Sequence, residues 1–138
     1  MFAGLPKSER GRVFDIPAYV GRLMRAGNVN AFLSICIAHS DDFLQLTGDE
    51  RGVQLDFPMV NPRQRNFEKK IREVALRGRL EVVENYGSDE ARFLDVNVNG
   101  EPREVAAICS KVLREVFSVS GDAELIFQHV GLAPDRAT

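Results

Sequence analysis

The amino-acid sequence predicts an α+β protein in two layers, with an antiparallel sheet of about five strands packed against three or four helices. Two observations predict this class. Runs of alternating apolar residues are separated by short turn signals, and three other segments carry apolar residues at helical spacing. The predicted order of elements is α-β-β-β-α-β-β-α. Short hairpin links favour antiparallel pairing, and clean alternation predicts one face against helices and one face left open.

Three helices are predicted, and each begins beside a proline, which is favoured in the first helical turn. The first covers residues 15–27, with Asp15 as its N-cap and glycine at its end. The second covers residues 61–78 by the same cap logic. The third opens at Pro102 and carries a broad apolar stripe to Phe117.

Five segments are predicted strands, most of them from alternating apolar residues and residues 31–38 from a nearly continuous apolar run that suits a strand covered on both sides or nearly so. They are residues 31–38, 43–47, 53–59, 80–87 and 91–100, the last two joined by a turn around residues 86–89. Pro58 has no backbone N–H, so its strand is expected at an edge of the sheet or to end there. As an edge, the strand near Phe57 could accept an added strand.

The segment after Gly121 has two interpretations. Residues 122–130 form either a short helix, capped by Asp122 and ended by Gly131, or a sixth strand, and we favour the helix. The start of the chain is simpler. Residues 1–14 carry basic residues without apolar periodicity and predict a loose arm, followed by one α+β domain over residues 15–133.

Length and charge exclude several classes of protein. The 138 residues suit one hydrophobic core, and a net charge of −2 provides no overall positive field for nucleic acid or an acidic membrane. No apolar run suggests a membrane span or a signal peptide. We therefore expect a cytoplasmic protein that binds neither nucleic acid nor membrane.

Cysteine and histidine are too scarce to predict a metal site. Cys36 and Cys109 fall on apolar positions and are expected as buried, reduced thiols, although a disulfide could form if their Cα atoms came within about 7 Å. With His39 and His129 they could supply four zinc ligands. Zinc modules bring their ligands as two close couples, which Cys109 and His129 do not form, so no metal is expected.

Charge is divided unevenly between two neighbouring segments. Residues 62–79 have a net charge of +5, and residues 80–104 have a net charge of −5. The plain interpretation of the basic segment is a solvated helix with ion pairs between successive turns. The sharper interpretation is a stripe of Arg65, Lys69 and Arg72 that binds phosphate or an acidic partner. No nucleic-acid recognition motif accompanies it, which favours a protein partner.

No catalytic or cofactor motif occurs in the sequence. Several acidic residues surround the first predicted hairpin, and turn chemistry accounts for Asp41 and Asp49 among them. His39, Ser40 and Asp41 contain the residue types of a catalytic triad, but adjacency in sequence does not create one. We predict no catalytic residues and no cofactor. The alternative is a small enzyme or ligand-binding protein with a site near His39 and Asp41.

Three phenylalanines are expected on the open face of the sheet. If the aliphatic residues of the strands face the helices, then Phe32, Phe43 and Phe93 point the other way, among polar neighbours. A slip in the assumed register, or the N-terminal arm folded over them, would explain these residues without function. Otherwise they contact another chain, either a second copy or a partner segment.

The element order, the small acidic chain and the segment RFLDVNVNGEPREVAAICSKVLREVFSV resemble the small chaperones of type III secretion, over residues 15–120. This resemblance implies a homodimer that holds an extended segment of a partner protein in apolar surface grooves. We predict a non-catalytic, chaperone-like, protein-binding module. Phe32, Phe43 and Phe93 would anchor the partner, and Arg65, Lys69 and Arg72 would orient it.

Overall fold

Seven strands form a single antiparallel sheet in the computed structural model, which describes residues 6–86 and 91–135. The strands are β1 (Lys7–Gly11), β2 (Phe32–Ile37), β3 (Phe43–Asp49), β4 (Gly52–Pro58), β5 (Glu81–Tyr86), β6 (Arg92–Asn99) and β7 (Leu125–Val130). Their order across the sheet is β1-β7-β2-β3-β4-β6-β5. The α+β class and the antiparallel sheet are confirmed, but the predicted number of about five strands is too low.

Helices cover one face of this sheet in three regions. They are α1 (Ile16–Met24), the adjacent α2 (Pro62–Arg65) and α3 (Glu68–Arg77), and α4 (Pro102–Glu115). The Asn61 side chain accepts a hydrogen bond from the Gln64 backbone N–H at 2.9 Å and so caps α2, as predicted. The predicted second helix is broken between Arg65 and Glu68. None of the described helices is long and apolar enough to cross a membrane.

The core lies between the helices and the aliphatic residues of the strands. Leu46 pairs with Leu33 on one side and with Leu55 on the other, and all three side chains are fully buried. Directly opposed residues of an antiparallel ladder point to the same face, so this register gathers the strand aliphatics on one side. Leu23 of α1 and Leu113 of α4 pack into the same cluster.

The preferred helix over residues 122–130 is wrong, because Leu125–Val130 forms β7 inside the sheet, between β1 and β2. Leu125, Phe127 and His129 face the core, while Ile126 and Gln128 face the opposite side. A segment of six residues is short enough to form either a strand or a short helix. Pairing with β1 and β2 makes this one a strand.

The predicted loose arm also differs from the structure, because Lys7–Gly11 forms β1 at one edge of the sheet. Its residues are mostly exposed, which explains the missing apolar pattern: backbone hydrogen bonds to β7 hold an edge strand without a buried side. One side-chain contact adds to them. The Glu9 carboxylate lies 2.7 Å from Nε2 of His129, which is only 3% exposed.

The position of β4 corrects a further expectation. The strand ends at Pro58, which confirms one of the two expectations for this proline. The other expectation, an edge position, is wrong, because β4 has β3 on one side and β6 on the other. Phe57 therefore lies in the core rather than on an open edge. The edges are β1 and β5. The predicted turn between β5 and β6 falls largely on residues 87–90, outside the described residues.

We expect Glu9→Ala to loosen β1 without unfolding the sheet. The contact with His129 holds the pKa of Glu9 below its ordinary value. Its stabilising contribution is therefore complete at neutral pH and is lost as the pH falls through that lowered pKa. Amide hydrogen exchange at pH 7 should be several-fold faster in Lys7–Gly11 of the variant and unchanged in β3 and β4.

Ser8→Ala is the control for this experiment, because Ser8 lies on the same strand and points to the other face. Equal exchange rates in β1 of Glu9→Ala and of the wild type would show that backbone pairing alone holds this strand.

Candidate functional site

The face of the sheet opposite the helices carries Phe32, Phe43 and Phe93. None of the three belongs to the buried core or packs against it, and each is partly exposed. The leucine that follows each of them in the sequence is fully buried. The alternation expected for these strands is therefore the one observed, and a register slip is not needed to explain the phenylalanines.

Apolar residues on this open face form a row that crosses the strands. The register aligns Ile126 on β7, Cys36 on β2, Phe43 on β3, Pro58 on β4 and Phe93 on β6. Strands lie about 4.8 Å apart, so the row extends for about 20 Å. We call these five residues the apolar row.

A polar row lies beside the apolar row, two residues along each strand. It consists of Ser8, Gln128, Ser34, Gln45, Asp56 and Asp95, and it ends at Val83 on β5. Phe32 lies beyond this row, paired with Val130. The structure thus brings Phe43 and Phe93 into one row and leaves Phe32 apart from them.

The polar row contains two carboxylates directly opposite each other. Asp56 on β4 pairs with Asp95 on β6, and Asp95 is only 3% exposed. Asn85 donates a hydrogen bond from Nδ2 to Oδ2 of Asp95 at 3.3 Å, whereas the buried Oδ1 has no donor among the described residues. Burial and the neighbouring Asp95 carboxyl raise the pKa of Asp56 to about 7.

Further along the strands, hydrogen bonds connect the side chains of a third row. Gln54 donates from Nε2 to Oδ1 of Asn97 at 3.3 Å, and Asn97 donates from Nδ2 to Oε1 of Glu81 at 2.6 Å. These three residues line one side of a cleft of about 500 Å³ at the β3–β4 turn. On the β5 side of the open face, this row therefore presents two neutral amides, Gln54 and Asn97, and one carboxylate at the rim, Glu81.

The predicted basic stripe lies on the other side of the molecule, in the helix layer. Arg65 donates to the backbone carbonyl of Val60 at 3.0 Å, and Lys69 is exposed. Arg72 contacts Glu68 and Glu84, each at 2.9 Å. Arg72 thus forms ion pairs on the helix side, whereas Phe43 and Phe93 lie in the apolar row of the open face.

Four charged residues form a network that joins α3 to β5 and β6. Arg92 donates two hydrogen bonds to the Glu68 carboxylate, both at 2.7 Å, and also contacts Glu84. With Arg72, the charges alternate around the group. Hydrogen bonds from Arg92 and Arg72 lower the pKa of Glu68 to about 2. The basic charge counted in the sequence is thus partly used to hold α3 against the sheet.

The alternative site near His39 and Asp41 lies on an exposed turn. His39 adopts a left-handed backbone conformation with φ of 62°, and both side chains are exposed. The cleft beside Asp41 measures about 20 Å³, room for a single water molecule. Among the described residues, no cavity large enough for a substrate joins His39 and Asp41.

The four candidate zinc ligands are also separated. Cys36 belongs to the apolar row, whereas Cys109 and His129 are buried on the helix side. Both cysteines are free thiols. Across residues 6–86 and 91–135, no three side chains of His, Cys, Asp or Glu are grouped to hold a metal ion.

A second cleft, of about 710 Å³, lies between α1, the β3–β4 turn and the start of α4. Its charged rim consists of Arg25, Asp49, Glu50 and Glu101. Backbone and side-chain hydrogen bonds from Arg51 hold the pKa of Asp49 below its ordinary value, so this carboxylate stays ionised. Three carboxyl groups and one guanidinium on this rim do not make a paired nucleophile and base.

Comparison with known proteins finds no matching family model, no matching curated protein and no matching solved structure. The resemblance to type III secretion chaperones therefore remains a prediction. The open face, with its apolar row and the neighbouring polar row, is the largest surface of the sheet that no described helix covers.

Sequence reasoning did not find the pairing of Asp56 with Asp95. Each aspartate stands between two apolar residues of a strand, a pattern that signals a carboxylate on a half-buried surface. In the sequence, Asp56 lies near the acidic residues of the first predicted hairpin and far from Asp95. Only the contact between β4 and β6, which are separated in sequence by α2, α3 and β5, brings the two carboxyls together.

We expect Asp56→Asn to stabilise the protein at pH 8. The folded state raises the pKa of Asp56, so the wild type loses stability as the pH rises from about 4 to about 7, and the asparagine removes this penalty. The gain should be about 1–3 kcal/mol at pH 8 and smaller at pH 5. Urea unfolding at both pH values measures it.

Asp41→Asn is the matched control, because it makes the same chemical change on an exposed turn. Its effect should stay within about 0.5 kcal/mol. A loss of stability at pH 8 in Asp56→Asn would contradict a strained carboxylate at this position.

We expect Glu68→Gln to destabilise the protein at pH 7 by on the order of 1 kcal/mol, a surface-like value because a quarter of the Glu68 side chain is exposed. The lowered pKa of Glu68 means that its contribution is present above about pH 4.5 and is lost as the pH falls through about 2. Glu73→Gln, on the exposed side of α3, is the control. Equal unfolding midpoints for the two variants would argue against the network.

Proposed function

We propose that this protein is a non-catalytic protein-binding module and that its open sheet face is the binding surface, occupied by a second copy of the same chain. The observation that carries the proposal is the composition of that face. An apolar row crosses its five inner strands beside a polar row whose only ionisable side chains among the described residues are Asp56 and Asp95, and it is the one side of the sheet without helices among the described residues.

The composition matches the anatomy of protein interfaces. The five inner strands, β7, β2, β3, β4 and β6, present three open-face positions each, without counting the strand ends at the β3–β4 turn. These positions contain no lysine, arginine or glutamate and only two aspartates, the opposed pair Asp56 and Asp95, although charged residues make up 28% of the chain. Charged residues lie at the rim, with Arg10 on β1 and Glu81 on β5. Compared with the rest of a protein surface, interface cores are depleted in charged residues and enriched in aromatic ones, and interface rims are polar.

The size of the face suits a dimer. Seven strands at about 4.8 Å spacing and about 20 Å of strand length give roughly 700 Å². A stable interface buries about 800 Å² on each partner. One sheet face therefore approaches the area that a second copy of this chain needs.

The row arrangement suits a symmetric partner. A two-fold axis parallel to the strands and lying between two stacked sheets places the apolar row of one copy over the apolar row of the other. Phe43 lies near the middle of that row, so such an axis packs the phenyl rings of the two copies against apolar neighbours. A homodimer is also what the resemblance to type III secretion chaperones implies.

We further infer a cytoplasmic location for this module. Cys36 is a free thiol within the apolar row, where it behaves as a small apolar side chain. A reducing compartment keeps such a thiol unpaired. This inference supports an interface formed by packing rather than by a covalent link between copies.

We expect the double variant Phe43→Ser/Phe93→Ser to weaken self-association. Both rings lie in the apolar row, and loss of two aromatic anchors should raise the dissociation constant by about tenfold or more. Light scattering over a concentration series measures the association of wild type and variant, and circular dichroism confirms that the variant is folded.

Phe14→Ser is the control, because the Phe14 side chain is 90% exposed and lies outside the sheet. It should leave association unchanged. Wild-type protein that stays monomeric at all concentrations, or that co-purifies as a monomer with another polypeptide, would overturn the choice of a second copy as the occupant.

A further inference from the structure

The Asp56–Asp95 pair lies where the proposed interface would close. Directly opposed side chains on neighbouring antiparallel strands have Cβ atoms about 5 Å apart, so the two carboxyls are in contact range. Asp95 is 3% exposed, and Asp56 is partly buried. Two ionised carboxylates at this distance, away from water, repel each other strongly.

The hydrogen bonds of the pair lack one donor. Asn85 satisfies Oδ2 of Asp95, and Oδ1 remains buried without a partner. Gln54, the nearest amide along β4, already donates to Asn97. A buried acceptor without a donor is costly, and a proton on the Asp56 carboxyl provides the missing O–H donor.

We propose that Asp56 and Asp95 hold one proton between them at neutral pH, and that this proton controls the association of two copies through the open face. The second half of this inference rests on the proposed function. The first half concerns the single chain and rests on the unpartnered oxygen, the burial and the register.

Within residues 6–86 and 91–135, no basic side chain faces the pair and could replace the proton. On β3 its neighbour is Gln45, and on β5 its neighbours are Val83 and Asn85. Glu81 is the nearest other titratable group described on this face, and it accepts a hydrogen bond from Asn97. Arg10, at the far edge of the sheet, is paired with Glu124 at 3.4 Å. Loss of the proton therefore leaves two negative charges on the face.

The direction of the pH effect follows from these charges. With the proton present, the pair carries one charge and its acceptor is satisfied. Without it, each copy brings a second charge into the interface, and a symmetric dimer collects the charge of both copies. Association should consequently take up protons and weaken as the pH rises.

The experiment measures the dissociation constant by sedimentation between pH 6 and pH 8 for wild type, Asp56→Asn and the control Asp41→Asn. We expect the wild-type and control constants to rise about tenfold or more across this range. Asp56→Asn should remain associated at pH 8 with a nearly constant value, because its amide donates permanently to Asp95. Asp95→Asn removes the repulsion from the other strand and should also show a flat profile.

Carboxyl ¹³C NMR of the wild type tests proton sharing separately. The carboxyl signal of Asp56 should titrate near neutral pH, and an Asp56 carboxyl that is fully ionised at pH 6 would overturn the shared proton. A dimer whose dissociation constant does not change with pH would overturn the control of association and leave the proposed function standing. Absence of a dimer at every pH would overturn the control of association and also the proposed function. The NMR titration would still decide whether the two aspartates share a proton.

Discussion

The alternation of side chains, kept in register across seven strands, is the constraint on which the whole molecule depends. Each directly opposed pair points to one face, so the alternation in the inner strands gathers the core side chains on one face and leaves the residues between them on the other. Helices can then cover one face with one continuous core. The same separation produces the open face, because every residue that completes the core leaves its neighbour in the strand on the other side.

Much of this arrangement can be predicted from local patterns. The inner strands β2, β3, β4 and β6 alternate clearly, and helix starts at Pro62 and Pro102 carry proline and capping signals. The two missed strands have physical reasons. β1 is exposed along most of its length and has no apolar pattern, since its pairing uses backbone groups. β7 carries apolar residues at both parities, because Ile126 belongs to the apolar row of the open face and Phe127 belongs to the core.

The candidate surface was predictable only in part. The parity of the strands placed Phe32, Phe43 and Phe93 outside the core, since that property needs one strand at a time. Their division into rows and the pairing of Asp56 with Asp95 need the order of strands and their register. Neither can be worked out from local sequence, because β5 comes before β6 in the chain while β6 lies between β4 and β5 in the sheet. For the same reason, the positive charge of residues 62–79 can be counted from the sequence, but the ion pair between Arg72 and Glu84 of β5 cannot be predicted from it.

Of the described strands, β7 comes latest in the sequence, yet it fills a place between β1 and β2. A ribosome releases the chain from its N-terminal end, so β2 through β6 can pair as a block while the outer backbone edge of β2 still lacks its partner. β1 has nothing to attach to until that place is filled. A nascent chain therefore exposes the unpaired edge of β2 until Val130 has emerged, and the time during which this edge can pair wrongly depends on how quickly translation proceeds from β6 to β7.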